Sequence, residues 1–222
     1  MKAGIKTFNT YIINMMIDLH NAIKKYGMNI TGVIHIGGHV GTEYDEYIKV
    51  ESIKHMVFYE PDPDNFKKLK SKVSRDDRAI CINKALGPFS CEANLHRESG
   101  NNGQSNSLLE PYKHTHIYPG IVFDKKLKVK VEPLDKYQTS PVFNFINMDV
   151  QGSELNVLLG ASKTLNNIDY VMTEVNRDEL YKNCAYIEDL DYFLSKYNFE
   201  RVEEVWDRDN PVWGDALYIK KT

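Results

Sequence analysis

Short apolar runs rich in β-branched and aromatic residues alternate along this chain with segments of helical periodicity, and that alternation restricts the fold more than any other feature. Residues 32–36 (GVIHI) read as a strand, a helix follows from about Thr42, residues 55–59 (HMVFY) are a second strand, residues 64–73 a helix and residues 79–83 a third strand. Strand, helix, strand in repetition is the pattern of βαβ units around a parallel sheet. Residues 127–134 alternate as a strand, and residues 142–148 form a nearly continuous apolar run suited to a central strand buried on both faces. A helix over 153–161, a strand over 169–175 and a helix over 187–197 follow. The last two strands, 199–206 and 216–220, have a turn-rich loop and no helix between them, which predicts a closing antiparallel hairpin. Ahead of all this, Phe8, Ile12, Met15, Met16, Leu19, Ile23 and Tyr26 recur at steps of three and four, an amphipathic leading helix within residues 1–28 that Gly27 can end.

The length of 222 residues suits one domain spanning 1–222. With 28 Lys+Arg against 31 Asp+Glu, there is no basic excess to neutralise a phosphate backbone, so nucleic acid is not expected as a partner. No stretch approaches the roughly 20 apolar residues that a membrane helix needs, and the N-terminal residues lack the unbroken apolar segment of a secretory signal. Cys81, Cys91 and Cys184 are odd in number, widely spaced and without metal-ligand spacing, which favours a reducing, cytoplasmic setting over a disulfide framework. Residues 98–120, rich in Asn, Ser, Gly and His, are too long for a simple connection and read as a lid or substrate loop. The run Lys125-Lys126-Leu127-Lys128-Val129-Lys130 reads as an exposed edge strand.

Val33-Ile34-His35-Ile36-Gly37-Gly38-His39-Val40-Gly41 passes from strand through a glycine turn into a helix, where backbone N–H groups can approach a ligand closely. The dinucleotide fingerprint GxGxxG fails, because its first glycine would fall on Ile36, and the P-loop fails, because Gly41-Thr42-Glu43 lacks the lysine. What remains is a glycine turn with an acid, Glu60, about 20 residues on at the end of the next strand, where a carboxylate accepts hydrogen bonds from the two hydroxyls of a ribose. A ribose anchor without a phosphate grip fits S-adenosylmethionine. The alternative for Gly37, Gly38 and Gly41 is a tight packing turn alone.

These residues, with Phe58-Tyr59-Glu60-Pro61, Asn83-Lys84-Ala85-Leu86-Gly87, Ile146-Asn147-Met148-Asp149-Val150-Gln151-Gly152-Ser153-Glu154 and Leu158-Leu159-Gly160-Ala161, resemble the FkbM family of S-adenosylmethionine-dependent methyltransferases. The resemblance runs from about Gly32 to the end. It implies an α/β, Rossmann-like class I methyltransferase fold: a seven-stranded, mostly parallel sheet with a C-terminal antiparallel hairpin and an N-terminal helix. It implies O-methylation of hydroxyls on sugars or polyketide-type molecules, and hence a small-molecule or glycan acceptor. Four positions depart from the family's usual residues: His35 replaces an acid that commonly helps hold the methionine amino group, His39 replaces Asn, Asn147 replaces Lys and Gln151 replaces Glu.

Transfer of a methyl group to an alcohol needs alignment, exclusion of water and a base. Asp149, at the C-terminal end of a central strand, is the first candidate, with helix capping or cofactor orientation as its other reading. Glu174 ends the next strand at the same sheet edge, so the two carboxylates form a paired base or a divalent-metal site; Glu154 reads as a helix-dipole partner. His114 and His116 offer a base from the lid, half a metal site, or solvated loop histidines. Ser107, with Ser105 and Asn106, reads as a ligand to cofactor or acceptor, or as a turn former. In a fold of this kind Asn83 and Ala85 occupy the level of the adenine ring, where Asn83 either pairs with an adenine edge or bonds local backbone at the strand end. Trp206 and Trp213 flank a carboxylate-rich loop, as in a sugar cleft or as core aromatics. The expected cofactor-binding set is therefore His35, Gly37, Gly38, His39, Gly41, Glu60, Pro61, Asn83, Ala85, Ser107, Asp149 and Gln151. A methyltransferase for RNA, protein or another metabolite, and a cofactor-binding protein without catalysis, are the alternatives; a homodimer is compatible with the sequence.

Overall fold

A computed structural model describes residues 17–137 and 140–221. The leading helix expected over 7–26 lies partly outside the described residues; its described part is α1 (Leu19–Tyr26). The Asp18 side chain accepts from the Asn21 N–H at 2.9 Å and Gly27 closes the helix at φ 63°, so both ends meet ordinary capping chemistry.

The chain then builds β1 (Gly32–Ile36), α2 (Tyr44–Tyr47), β2 (His55–Tyr59), α3 (Pro63–Val73) and β3 (Ala79–Ile82). After a second, smaller sheet come β7 (Phe145–Met148), α5 (Glu154–Leu159), β8 (Tyr170–Asn176), α6 (Ile187–Ser195), β9 (Phe199–Trp206) and β10 (Trp213–Lys220). The large sheet has seven strands in the order β3-β2-β1-β7-β8-β10-β9. Pairs from β3 through β8 are parallel, whereas β10 runs antiparallel to both β8 and β9, which is the expected hairpin. The order reverses between β1 and β7, and the crevice beyond the C-terminal ends at such a point is where open α/β sheets bind ligands. Alternate residues of each strand feed opposite cores: Ile34, Val57 and Ile146 pack with Leu158 and Leu190 on one face, and Val33, Phe58 and Phe145 with Leu69 on the other.

The smaller sheet, ordered β4 (Ala85–Leu86), β6 (Val122–Glu132), β5 (Cys91–Ser99), was not anticipated from sequence beyond part of β6. Within β5 only Leu95 and Glu98 are buried, so CEANLHRES carries almost no apolar alternation and becomes a strand through pairing with β6. The lysine run is a correction: β6 is the middle strand and not an edge. Because β4 pairs only with Val131 and Glu132, the four lysines remain exposed on a stretch paired on one side alone.

The segment 98–120 is also less loop-like than expected. It starts inside β5, is pinned by bridges His96↔Ser107 and Pro111↔Tyr181, and contains the short helix α4 (His114–Ile117). No helix of the described residues is long and apolar enough to cross a membrane.

At the end of β1, Gly37 has φ 86°, and a Cβ there would lie 1.8 Å from the Asp149 carbonyl oxygen. Both the conformation and the contact exclude a side chain. Gly37→Ala is expected to cost at least about 3 kcal/mol of unfolding free energy, while Gly27→Ala, with open space around it, costs about 1 kcal/mol. Equilibrium denaturant unfolding of both variants checks the difference.

Candidate active site

A cavity of about 480 Å³ opens beyond the C-terminal ends of β1, β2, β7 and β8, roofed by the segment after β5 and by the β9–β10 loop. Its size lies within the range of about 300–1,000 Å³ usual for ligand pockets.

On one side of the cavity Glu60 ends β2. Its carboxylate accepts from the His39 N–H at 2.7 Å and from the Asp62 N–H at 2.8 Å, and burial pushes its carboxyl up to about 8. Gly37, His39, Pro61 and Ala85 line the same wall. Several expected residues do not. Gly38 and Gly41 pack against Leu69, so these two serve the packing turn that was the alternative reading. The Asn83 amide donates to the carbonyls of Glu60 and Pro61 at 2.8 and 3.0 Å; it braces the strand end and does not face the cavity. Ser107 is buried, its hydroxyl donating to the Gln151 carbonyl at 2.7 Å, so it fastens the roof while Ser105 and Asn106 line the space.

His35 lines the cavity floor. It stands opposite Asn147 in the β1–β7 register, so two of the four departures from the family pattern are neighbours. Between them lies the Tyr47 hydroxyl, 2.6 Å from His35 Nδ1 and 2.6 Å from the Asn147 amide. Asn147 donates to that oxygen, and His35 Nε2 lies 3.7 Å from the Glu43 carboxylate. Burial holds His35 down at about 4, hence uncharged. An acid and a lysine at these two places would form an ion pair; here a neutral trio fills the same level.

The expected carboxylate pair is present. Asp149 follows β7 and keeps an accessible surface, which faces the cavity; Glu174, in β8, is buried. The Gln151 amide nitrogen bridges them, donating to Asp149 Oδ1 at 2.7 Å and to Glu174 Oε2 at 2.6 Å. Its carbonyl accepts from the Tyr181 hydroxyl at 2.8 Å, which fixes the direction of the amide. Gln151 and Gly152 both have positive φ, 55° and 95°, and this turn is what swings the glutamine side chain back over the strand ends. Below it the buried Glu154 accepts from the Val150 and Gly152 N–H groups, each at 3.1 Å, in agreement with its structural reading. Desolvation raises the carboxyls of Asp149 and Glu174, and the charge of Asp149 pushes Glu174 further, far above its ordinary value, so the pair retains a proton and Glu174 carries it.

His114 lines the cavity from the roof and is 4% exposed, so it is not a solvated loop histidine. It packs on Tyr118, Phe123 and Tyr181, burial lowers it to about 4, and its Nδ1 has no hydrogen-bond partner. His116 is exposed and does not join it. Trp213 lines the cavity and donates to the Tyr118 hydroxyl at 2.7 Å, which in turn donates to Asp207 at 3.1 Å. Trp206 instead stacks under the Arg177 guanidinium at 3.6 Å, outside the cavity. The described residues hold no group of three or more His, Cys, Asp or Glu placed to bind a metal.

Sequence reasoning missed Glu43, Tyr47, Tyr118 and Asp215. The signal for Asp215 was available: it interrupts an apolar closing strand, and it stands opposite Glu174 in the β8–β10 register, pushed up to about 7 by burial and by Asp149.

Residues 35–201 match the family model described as the Methyltransferase FkbM domain. The chain belongs to the FkbM methyltransferase family. It is 24% identical over 158 residues to the 2-O-methyltransferase NoeI of Sinorhizobium fredii, covering 68% of this chain and 65% of NoeI. A crystal structure of methyltransferase FkbM from Methylobacillus flagellatus superposes with TM-score 0.60 at 16% identity, over 95% of this chain and half of that one. The N-methyltransferase NodS of Bradyrhizobium japonicum superposes at 0.58 with 9% identity, over 97% of this chain and 99% of that one. The chain thus spans less than two thirds of NoeI and half of the Methylobacillus flagellatus protein; the methyl donor that the family resemblance implies is S-adenosylmethionine, which carries its methyl group on a positively charged sulfur. The cavity fits that molecule: a close-approach glycine and the Glu60 carboxylate face it, and Lys84 is its one lysine or arginine among the described residues.

Glu60, Glu154, Glu174 and Asp215 all bind protons more tightly in the folded cavity than in the unfolded chain. Groups of this sign lose stability as pH rises from their unfolded towards their folded pKa. His35 and His114 act oppositely, but only below about 6.5, where the unfolded imidazoles charge. The Tm of the ligand-free FkbM protein is therefore expected to fall between pH 6.5 and 8, as scanning calorimetry across that interval would show.

Proposed function

We propose that this FkbM methyltransferase transfers the methyl group to a hydroxyl of a sugar, a glycan precursor or a similar small molecule, with Asp149 as the base. The observation that carries this reading is the carboxylate pair bridged by Gln151 at the cavity face of β7 and β8. A base for an alcohol works best near the ambient pH, and desolvation moves Asp149 in that direction, while Glu174 holds the pair's proton and Gln151 keeps the two oxygens apart. Asp149 then accepts the acceptor's O–H proton as the carbon–oxygen bond forms.

In this reading Glu60 holds the ribose hydroxyls, His39 and Gly37 border the nucleoside, and Pro61 and Ala85 rest against the adenine. His35 and Gln151 face the methionine end. His114, uncharged and packed on Tyr118, Phe123 and Tyr181, borders the acceptor, and Trp213 and Tyr118 offer the aromatic surface on which a sugar ring lies. The printed activity of NoeI supports a hydroxyl acceptor. Seven carboxylic residues line the cavity (Glu43, Glu60, Asp149, Glu174, Asp207, Asp209 and Asp215), which disfavours a polyanion such as RNA. Three cysteines without a disulfide suit work in the cytoplasm.

Radiolabelled methyl transfer over a panel of glycosides, nucleotide sugars and RNA tests the class: label in RNA and in no sugar overturns it. Asp149→Asn is expected to lower kcat roughly 10²- to 10⁴-fold while S-adenosylmethionine affinity changes only a few fold. Unaltered turnover would assign the base elsewhere.

A further inference from the structure

The cavity holds more acid than a neutral acceptor requires. Asp149 at the end of β7, Glu174 on β8 and Asp215 on β10 converge on one wall, Glu43 approaches from before α2, and Glu154 lies beneath on α5. Within this group Lys72, which does not line the cavity, and His39 act on Glu43 alone; no lysine or arginine faces Asp149, Glu174 or Asp215, and His35, Tyr47, Tyr118 and Tyr181 around them are uncharged. The geometry at its centre is specific. One amide, Gln151 Nε2, spends both hydrogens on two carboxyl groups, at 2.7 and 2.6 Å, and so ties two acids of one wall to a single neutral donor. His114, which also lines the cavity, is buried and its Nδ1 has no hydrogen-bond partner.

We infer that Asp149, Gln151 and Glu174 form a charge-matching cluster, which gives up one proton when the positively charged cofactor enters and takes one back when the sulfur loses its charge. The chain thereby distinguishes S-adenosylmethionine from S-adenosylhomocysteine by charge, beyond any difference in shape. The balance closes over a turnover. The carbon–oxygen bond forms, the sulfur–carbon bond breaks with its electron pair left on sulfur, and the hydroxyl proton moves to the cluster. Positive charge is thus handed from sulfur to a proton a few bonds away, and the net charge of the cavity does not change. The product state then matches the resting protonation of the cavity, and the next cofactor displaces that proton again.

This inference rests on the cofactor assignment and not on the identity of the acceptor, so it is tested without one. Isothermal titration of the intact protein with S-adenosylmethionine and with S-adenosylhomocysteine, in phosphate and in Tris at pH 7, counts the protons released from the difference in observed heat. S-adenosylmethionine is expected to release up to one more proton than S-adenosylhomocysteine. The affinity ratio between the two is expected to rise with pH by up to tenfold per unit between pH 6 and 8, the factor that one linked proton gives. In Glu174→Gln, or in Asp149→Asn should the first variant not fold, both the extra proton and the pH slope disappear. Equal proton counts in the wild-type protein overturn the inference, as does an undiminished difference in a folded variant. Failure of both ligands to bind would overturn the cofactor assignment itself.

Discussion

The site depends on one close approach: the turn after β1 lies against the backbone after β7, with Gly37 against the Asp149 carbonyl and the Asp149 N–H bonded to the Ile36 carbonyl at 3.0 Å. Parallel strands have no hairpin to fix their relative height, so the contact that ends their pairing decides where each strand delivers its next side chain. Here it sets Asp149 level with Gly37, just beyond the His35–Asn147 pair, and directs the following positive-φ turn, Gln151-Gly152, across the mouth of β8. A residue with a side chain at position 37 would separate the two strand ends and, with them, the floor of the cavity.

The roof depends on that turn in its own way. The Ser107 hydroxyl donates to the Gln151 carbonyl, and Tyr181 donates to the Gln151 side chain while also contacting the Ser105 carbonyl at 3.1 Å. One residue of unfavourable backbone conformation, costing roughly 1–3 kcal/mol, therefore joins the carboxylate pair below to the segment 98–120 above. The segment expected to be a lid is held as a fixed wall, and its contribution to the site is the uncharged His114 and the anchored Tyr118, not a loose covering.

Much of the large sheet was legible because its strands are buried on both faces and read as apolar runs: GVIHI, HMVFY and FINM need no partner to be recognised. The acids at strand ends were legible for the related reason that a carboxylate terminating such a run has nowhere to go but the ligand edge, and Glu60, Asp149 and Glu174 all lie there. The smaller sheet was not legible, because β5 gains its pairing from a strand some thirty residues on and buries almost nothing of its own. For the same reason Asn83 was misplaced: its position along the chain is that of a site residue, but the nearest unpaired carbonyls, those of Glu60 and Pro61, take its amide. His35 and Asn147 read as separate departures in sequence, and only the strand register, with Tyr47 arriving from α2, joins them into one exchange of an ion pair for a neutral network.

That exchange and the surplus of acid belong together. A lysine at 147 would place a permanent positive charge on the cavity floor, beside Asp149, and would lower the carboxyls that burial now raises. With Asn147, and with His35 kept neutral by burial, nothing on the floor neutralises Asp149 and Glu174, and Gln151 adds hydrogen bonds without adding charge. The protein bears this as stability forgone in the empty state. The free energy withheld there is available to any cation that enters, and a sulfonium is a cation that the reaction itself abolishes. A site that gains its affinity from that charge, and not from tighter walls, weakens its hold on the spent cofactor at the moment the methyl group leaves.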